Sequence, residues 1–297
     1  MIRHLLARGC AYVRLDTDKL GSPACFFGAR SEPELHLHGQ IIRHSDVSAI
    51  WARRFALPDV LQRAKPEHGD FIKRELGIVM DAFLEGGPGA FQINPSYADR
   101  QAGNRILQTQ RAREVGFSVP ETLVTQDRDA AQQFLERHSS VICKALSFGR
   151  ISSPPDAELV AYTSIAPPTL PLDGLICCPT LFQQKIVKRF DWRITTIGSR
   201  AFSARAESDP DTAVIDWRQD KNAATKFVRG DAPACILDRL FRLAAASGIV
   251  CGAHDLIETE SGEFFFLETN PAGQWGWIEL TTGLPIGRAI ADELTSH

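Results

Sequence analysis

The sequence has no long hydrophobic run and no excess of one charge, and each absence excludes a class of protein. Its longest apolar runs, such as residues 264–267, are far shorter than the roughly 18 residues that a membrane-spanning helix needs. Residues 1–8 carry charge before an apolar signal-peptide core could form, so we expect a cytoplasmic protein. Lys and Arg number 33 against 36 Asp and Glu, and the net charge of −3 provides no field that attracts nucleic acid or an acidic membrane.

The cysteines form no recognisable framework. There are seven, an odd number, and no C-x-x-C or zinc-ligand spacing occurs among them. Cys177 and Cys178 are adjacent, and the other five are scattered. This usage indicates free thiols in a reducing compartment rather than a disulfide scaffold.

The pattern of strands and helices indicates an α/β protein of one to three packed units. Hydrophobic residues make up 44% of the 297 residues, which is ordinary for a globular chain. Short strands alternate with helices as far as residue 144, a proline-rich stretch covers 150–180, and antiparallel strands follow. The pattern predicts strands at 11–16, 49–53, 122–124 and 141–144, and helices at 73–84, 98–115, 129–138 and 234–247.

The strongest local signal is a hairpin near the carboxyl terminus. Two apolar runs flank Ser261 and Gly262, which form a good two-residue turn. With that turn, Asp255 lies directly opposite Glu268, and Asn270 points to the same face two residues further on. Converging carboxylates repel each other unless a cation lies between them. The pattern therefore indicates either a magnesium site made of oxygen ligands or a solvated acidic strand face.

Three further segments carry cations that suit phosphate. Lys144 ends a strand and precedes a small glycine-containing loop, although the Walker spacing is absent and a solvated lysine is the alternative. A second hairpin with a three-residue turn at 198–200 predicts that Arg193 faces Arg205. Opposed guanidiniums are unfavourable unless an anion joins them, and a surface pair that diverges is the alternative. Arg218 is another candidate phosphate-binding residue.

Together these segments resemble the ATP-grasp fold, in which two α/β subdomains hold ATP between antiparallel sheets. Within that superfamily the chain is similar to the ligases that macrocyclise microviridin-type peptides, the graspetide synthetases. The closer match rests on the stretches FLETNPAGQWGWIE (266–279), TGLPI (282–286), DWR (216–218) and VRLDTD (13–18).

The resemblance implies an α/β (α+β) ATP-grasp fold in three parts. An N-terminal pre-ATP-grasp domain is expected at 1–100, a central ATP-grasp subdomain at 101–182, and a C-terminal subdomain with the metal-binding hairpin at 183–297. Relative to the family pattern, the chain begins at what resembles the first helix, without an opening strand.

The resemblance also implies roles for individual residues. The predicted Mg²⁺ ligands are Asp255, Glu268 and Asn270. The predicted nucleotide-binding residues are Lys144, Arg105, Gln184 and the backbone of Lys185 and Ile186. The predicted catalytic cations around the transferred phosphoryl group are Arg193 and Arg218. Two of these depart from the family pattern, since Arg105 replaces a lysine and Gln184 replaces an acidic residue.

The implied activity is an ATP-dependent condensation. A carboxylate of a ribosomally made peptide attacks the γ-phosphate, and a Ser, Thr or Lys side chain of the same peptide then displaces phosphate from the acyl phosphate. The expected partners are ATP, Mg²⁺, a precursor peptide with a leader and a core rich in Thr/Ser and Asp/Glu, and a second copy of the chain. The alternatives are a ligase of the same fold for a small molecule or single amino acids, and a catalytically inactive peptide- or nucleotide-binding protein.

Overall fold

A computed structural model describes most of the chain. The described residues are 1–16, 25–27, 33–37, 39–53, 64–85, 89–147, 150–153, 157–160, 163–207 and 226–297. Within these ranges the α-helices are α1 (Ile2–Leu6), α2 (Gly69–Glu85), α3 (Ser96–Ala102), α4 (Arg105–Glu114), α5 (Arg128–Arg137), α6 (Ala234–Ser247), α7 (Gly276–Thr282) and α8 (Ile286–Thr295). No helix in these ranges has the length and apolar character that crossing a bilayer requires.

The described strands form two larger sheets and three small ones. The amino-terminal strands are β1 (Cys25–Phe27), β2 (Pro33–Leu37), β3 (Gln40–Arg43), β4 (Ala49–Trp51) and β5 (Phe91–Ile93). The middle strands are β6 (Thr122–Thr125), β7 (Val141–Lys144), β8 (Arg150–Ser153), β9 (Ala157–Val160), β10 (Ser164–Ile165) and β11 (Thr180–Gln184). The last strands are β12 (Phe190–Ile197), β13 (Arg200–Glu207), β14 (Val228–Arg229), β15 (Cys251–Glu258) and β16 (Phe264–Asn270).

The five-stranded antiparallel sheet, in the order β14-β13-β12-β15-β16, is the largest unit. Helix α6 packs on one face of it, where Leu240 and Leu243 meet Ile194 and Leu256 in a buried core. Helix α4 runs beside β16 and adds Ala112 to the same core. Because α4 lies against β16, an edge strand among the described strands, its side chains reach the residues of that strand.

The four-stranded sheet, in the order β10-β7-β11-β6, has its own core. Helix α5 covers it with Phe134 and Leu135, which pack against Phe182 of β11. The predicted boundary after residue 182 falls inside β11, and the division of the chain into three parts stays a prediction.

The amino-terminal region is joined to the large sheet by helix α8. Strands β4 and β5 pair in parallel, and Ile93 of β5 packs with Ile290 of α8 and Ile197 of β12. The strand predicted at 11–16 is wrong, since these residues form no strand in the structure. Tyr12 and Val13 are 42% and 52% exposed, so no strand in the described part of the chain covers them.

The helix predicted at 98–115 is divided in two. Helix α3 ends before Gly103, and Asn104 caps α4 by accepting hydrogen bonds from the backbone N–H groups of Ile106 and Leu107 at 3.0 and 3.2 Å. An Asn at this position competes with helix continuation because its side chain bonds to nearby backbone. The predicted end is confirmed, since Gly116 follows α4 with a φ of 92°.

The second predicted hairpin forms with a shorter turn, and the predicted opposition of Arg193 and Arg205 is wrong. The turn contains two residues, Gly198 and Ser199, and Gly198 has a positive φ of 53°. A two-residue turn of this kind matches the twist of paired strands. Because the turn is one residue shorter, the register shifts and Arg193 faces Ala204.

Candidate metal and nucleotide site

The hairpin of β15 and β16 places two carboxylates opposite each other. Asp255 pairs with Glu268 in the strand register, as the sequence predicts. The hairpin that produces this pairing differs from the predicted one at the turn and within β16. The turn spans three residues rather than two, with Gly262 at a φ of 80°, and Leu267 is an extra residue that forms a β-bulge. The bulge restores the register that the longer turn displaces, so the two differences cancel.

Asn270 completes a cluster of three oxygen-bearing side chains. Its Nδ2 lies 3.0 Å from Glu268 Oε1 and 3.4 Å from Asp255 Oδ2. Rotating the side-chain amide of Asn270 by half a turn places its oxygen where Nδ2 now lies, because the oxygen and NH₂ ends of an amide have nearly the same shape. Two carboxylates and an amide oxygen are hard ligands of the type that Mg²⁺ prefers. The described residues contain no group of three or more His, Cys, Asp or Glu that could hold a metal, and this cluster has two carboxylates.

Two guanidinium groups balance the carboxylate charges. Arg193 Nη1 on β12 lies 2.7 Å from Asp255 Oδ1, and Arg105 at the start of α4 forms an ion pair with Glu268. The side chain of Arg193 is 6% exposed, and its Nη2 donates to the carbonyl of Gln274 at 3.3 Å. A buried charge is tolerated only where it is paired and hydrogen-bonded. The structure thus brings two of the predicted cations to two of the predicted metal ligands.

An open cavity of about 330 Å³ adjoins this cluster. Its lining comprises Arg100, Gly103, Asn104, Arg105, Ile106, Leu146 and Ser147. Arg105 both lines the cavity and contacts Glu268, so this side chain connects the cavity to the carboxylate cluster. The start of α4 and two guanidiniums give it a positive character, which suits phosphate.

Lys144 lies at the end of β7 and contacts a neighbouring strand of the same sheet. Its Nζ donates to Gln183 Oε1 at 3.0 Å, and Gln183 Nε2 donates to Thr122 Oγ1 at 2.9 Å. Gln183 is buried, and no sequence pattern indicated it. Its neighbour Gln184 was predicted instead, because the family resemblance places it at the position of an acidic residue. Alternate residues of a strand point to opposite faces, so the two glutamines face different sides of the sheet.

The predicted adenine-binding residues lie where the chain leaves β11. Gln184 ends the strand, and its backbone N–H donates to Glu121 O at 2.8 Å. The backbone N–H of Lys185 donates to Ser140 O at 3.0 Å, so this residue is fixed to the four-stranded sheet. The side chains of Gln184 and Ile186 are partly buried, and that of Lys185 is exposed. Their roles stay predictions.

Arg218, predicted as a catalytic cation, and the rest of the DWR stretch at 216–218 lie outside the described residues. Two buried polar residues near the cluster were missed by the sequence analysis. His254 Nδ1 and Nε2 lie 2.9 Å from the hydroxyls of Thr269 and Thr196, and Gln108 accepts a hydrogen bond from the backbone N–H of Thr269. Burial lowers the pKa of His254 to about 3, with a further contribution from the positive charge of Arg193, so its imidazole is neutral. No local sequence signal marks Gln108, whose partner lies 161 residues away.

Comparison with known proteins gives matches among solved structures. No model of a protein family matches the sequence, and no curated protein matches it. A RiPP-associated ATP-grasp ligase from Chryseobacterium gregarium, solved with ADP and a leader and core peptide, has a TM-score of 0.89 and 25% identity over 99% of this chain and 91% of its own. The macrocyclase MdnC from Microcystis aeruginosa, solved with precursor peptide MdnA, has a TM-score of 0.88 and 27% identity over 100% of this chain and 94% of its own.

A third structure extends the same comparison. Macrocyclase MdnB from Microcystis aeruginosa has a TM-score of 0.81 and 27% identity over 99% of this chain and 94% of its own. The predicted ATP-grasp fold of the α/β (α+β) class is therefore confirmed, as is the similarity to the microviridin macrocyclases.

Proposed function

We propose that this chain is an ATP-grasp ligase that macrocyclises a ribosomally made precursor peptide. The observation that carries the proposal is the cluster of Asp255, Glu268 and Asn270, formed in a chain that matches peptide-bound ligases over its whole length. The reaction is the formation of an ester or amide from an Asp or Glu carboxylate of the peptide. ATP activates that carboxylate as an acyl phosphate with release of ADP, and a Ser, Thr or Lys side chain then displaces phosphate.

The residues of the cluster have the chemistry that this reaction needs. We propose that Asp255, Glu268 and Asn270 hold Mg²⁺, whose charge neutralises the triphosphate that a peptide carboxylate must approach. Lys144 and Arg105 bind phosphate oxygens, and Gln184 together with the backbone of Lys185 and Ile186 contacts the base. Arg193 holds Asp255 in place from the adjacent strand. Arg218 is proposed as a further cation at the transferred phosphoryl group.

The substrate proposal is a peptide with a leader and a core rich in Thr/Ser and Asp/Glu. It is supported by two of the similar structures, which contain precursor, leader or core peptides. A homodimer and a cytoplasmic location stay predictions from the sequence.

The test is the intact mass of a candidate precursor peptide after co-expression with this protein. We expect the loss of one water per crosslink with the wild type. Glu268→Gln keeps the shape of the side chain and removes its charge, so we expect it to abolish the mass loss. The matched control is Glu263→Gln, since Glu263 is an exposed residue of the same hairpin that contacts Ser118 at 2.8 Å.

One outcome would contradict the proposed metal site, and another would overturn the proposed activity. Wild-type crosslinking by Glu268→Gln would remove the metal site from the mechanism. An unchanged peptide mass together with ADP release in the presence of free amino acids would indicate the small-molecule ligase instead.

A further inference from the structure

A continuous line of buried polar groups lies directly behind the carboxylate cluster. Gln108 on α4 accepts the backbone N–H of Thr269, and the hydroxyl of Thr269 lies 2.9 Å from His254 Nδ1. His254 Nε2 in turn lies 2.9 Å from the hydroxyl of Thr196 on β12. All four side chains are less than 5% exposed. This line, Gln108–Thr269–His254–Thr196, therefore joins one helix and three strands.

Thr269 connects this line of buried polar groups to the carboxylate cluster. Thr269 lies between Glu268 and Asn270, two of the three side chains of the cluster, and its own side chain points to the opposite face of the strand. Among the described strands, β16 lies at one edge of its sheet, so the outward N–H of Thr269 requires an acceptor from another element. Gln108 provides that acceptor. A rotation of the backbone at Thr269 would move both neighbouring side chains of the cluster.

Burying polar side chains at these four positions calls for an explanation, because apolar side chains can be buried at a lower cost in desolvation free energy. Polar groups taken out of water must be hydrogen-bonded to avoid a large desolvation cost. Each contact in the line satisfies this condition, and a satisfied buried network fixes one geometry more strongly than apolar packing does. The line fixes the strand next to the bulge at Leu267, where the regular ladder is interrupted.

We propose that Gln108 and Thr269, through His254 and Thr196, are positioning residues that hold Glu268 and Asn270 in the geometry needed to bind the metal with its nucleotide. This inference rests on the proposed function and deepens it. Gln108 and Thr269 contact neither substrate nor metal in this arrangement, since they act through the backbone between the two ligands. Partners that orient metal ligands in this way typically affect metal affinity about 10–100-fold when they are removed.

The experiment measures ADP affinity by calorimetry with Mg²⁺ and again with EDTA, and the ratio defines the Mg²⁺-dependent gain. Gln108→Met keeps the length of the side chain but removes the acceptor, and Thr269→Val removes the hydroxyl. We expect each to reduce the gain about 10-fold or more while affinity in EDTA stays within about twofold of the wild type. Thr269→Ser, which retains the hydroxyl, is expected to recover most of the gain.

The control is Gln110→Met on the same helix. Gln110 is exposed and its amide contacts Glu114 at 3.1 Å, so we expect a wild-type gain. A gain within about twofold of the wild type in both Gln108→Met and Thr269→Val would overturn the inference and leave the proposed function standing. A wild-type protein that binds no ADP would overturn the proposed function and the inference together. If Gln108→Met does not fold, the comparison of Thr269→Val with Thr269→Ser decides.

Discussion

Arg193 is one of the two guanidinium groups that balance the charge of the carboxylate cluster. It comes from β12, the central strand of the large sheet, and reaches Asp255 on the adjacent strand at 2.7 Å. Its second contact, to the carbonyl of Gln274 at 3.3 Å, ties the cluster to the segment that follows β16. Arg193 therefore fixes both a predicted metal ligand and the chain next to it.

We expect Arg193→Met to lower both stability and turnover. The loss of a hydrogen bond between charged groups should reduce the free energy of unfolding by about 1.5–3 kcal/mol. Turnover in the peptide-mass assay should fall about 10²–10³-fold, as for other well-placed charge-stabilising donors. The double variant Arg193→Met with Asp255→Asn should recover part of the stability and none of the turnover, since it removes the carboxylate charge that has lost Arg193 together with a proposed metal ligand.

Arg205 provides the control for this substitution. It lies on the strand next to Arg193, with its guanidinium over the rings of Phe190 and Trp192 at 4.4 and 5.5 Å. Arg205→Met removes the same charge away from the cluster and should retain turnover. Equal turnover in Arg193→Met and Arg205→Met would contradict the assignment.

His254 makes stability depend on pH in a defined direction. Burial lowers its pKa in the folded protein to about 3, whereas the pKa of an unfolded histidine is about 6.5. Between these values the unfolded chain binds more protons, so the contribution of His254 is complete above about pH 6.5 and is lost as the pH falls toward 3. In urea unfolding with EDTA, the wild type should lose about 2 kcal/mol more than His254→Gln between about pH 7.5 and about pH 5. Equal losses would show that His254 does not titrate in this way.

At the scale of elements, helix α4 links the cavity to the carboxylate cluster. Its cap residue Asn104 and its first residue Arg105 line the cavity, and Arg105 and Gln108 contact consecutive residues of β16. Residues three apart lie on the same face of a helix, which is why one short helix makes both contacts. The break between α3 and α4 places the start of α4 beside the cavity.

We expect Asn104→Ala and Asp127→Ala to differ in function although they cost similar stability. Asn104 caps α4 and Asp127 caps α5 in the same way, each accepting two backbone hydrogen bonds. Loss of either cap should cost about 1 kcal/mol in the free energy of unfolding. Only Asn104→Ala should also weaken ADP binding in Mg²⁺, measured by calorimetry. Similar ADP affinities in the two variants would argue against a role for α4 in the site.

The sequence was sufficient for elements whose signals are local. Helix α6 and strands β6 and β7 follow from apolar periodicity, and the facing of Asp255 and Glu268 was predicted correctly. That prediction is correct because two deviations from the predicted hairpin cancel: the turn is one residue longer, and a bulge adds one residue to β16. The opposition of Arg193 and Arg205 failed because no second difference cancelled the shorter turn. Register is therefore the least certain inference from a strand pattern, since a shift of one residue reverses every side chain.

Contacts across the whole molecule could not be predicted from local patterns. Arg105 reaches Glu268 across 163 residues, and Gln108 reaches Thr269 across 161. The fold itself was predicted because several separated motifs matched one known arrangement, which fixes distant segments at once. What the motifs did not contain, such as the buried polar line behind the cluster, became visible only in three dimensions.

At the scale of the whole molecule, the two larger sheets are joined by the chain between β11 and β12. The backbone N–H of Lys185 donates to Ser140 O at 3.0 Å beside the four-stranded sheet. The backbone N–H of Arg189 donates to Glu258 O at 2.7 Å in the five-stranded sheet. The proposed adenine-contacting segment is thus fixed at each end to a different sheet, and both sheets contribute groups to the proposed nucleotide site.

The bulge at Leu267 has a consequence for comparing this chain with its relatives. Asp255 faces Glu268 because the three-residue turn and the extra residue of β16 offset each other. A relative with a turn one residue shorter and no bulge would align the same two carboxylates in space. In a sequence alignment, that relative would need two one-residue gaps, one at the turn before the apolar run 264–266 and one at Leu267 after it. Neither gap gives a sign that the other is needed. A gap of one residue at the turn alone would match Asp255 and leave Glu268 one position out of register, so alignments of this hairpin should be anchored on the two carboxylates together.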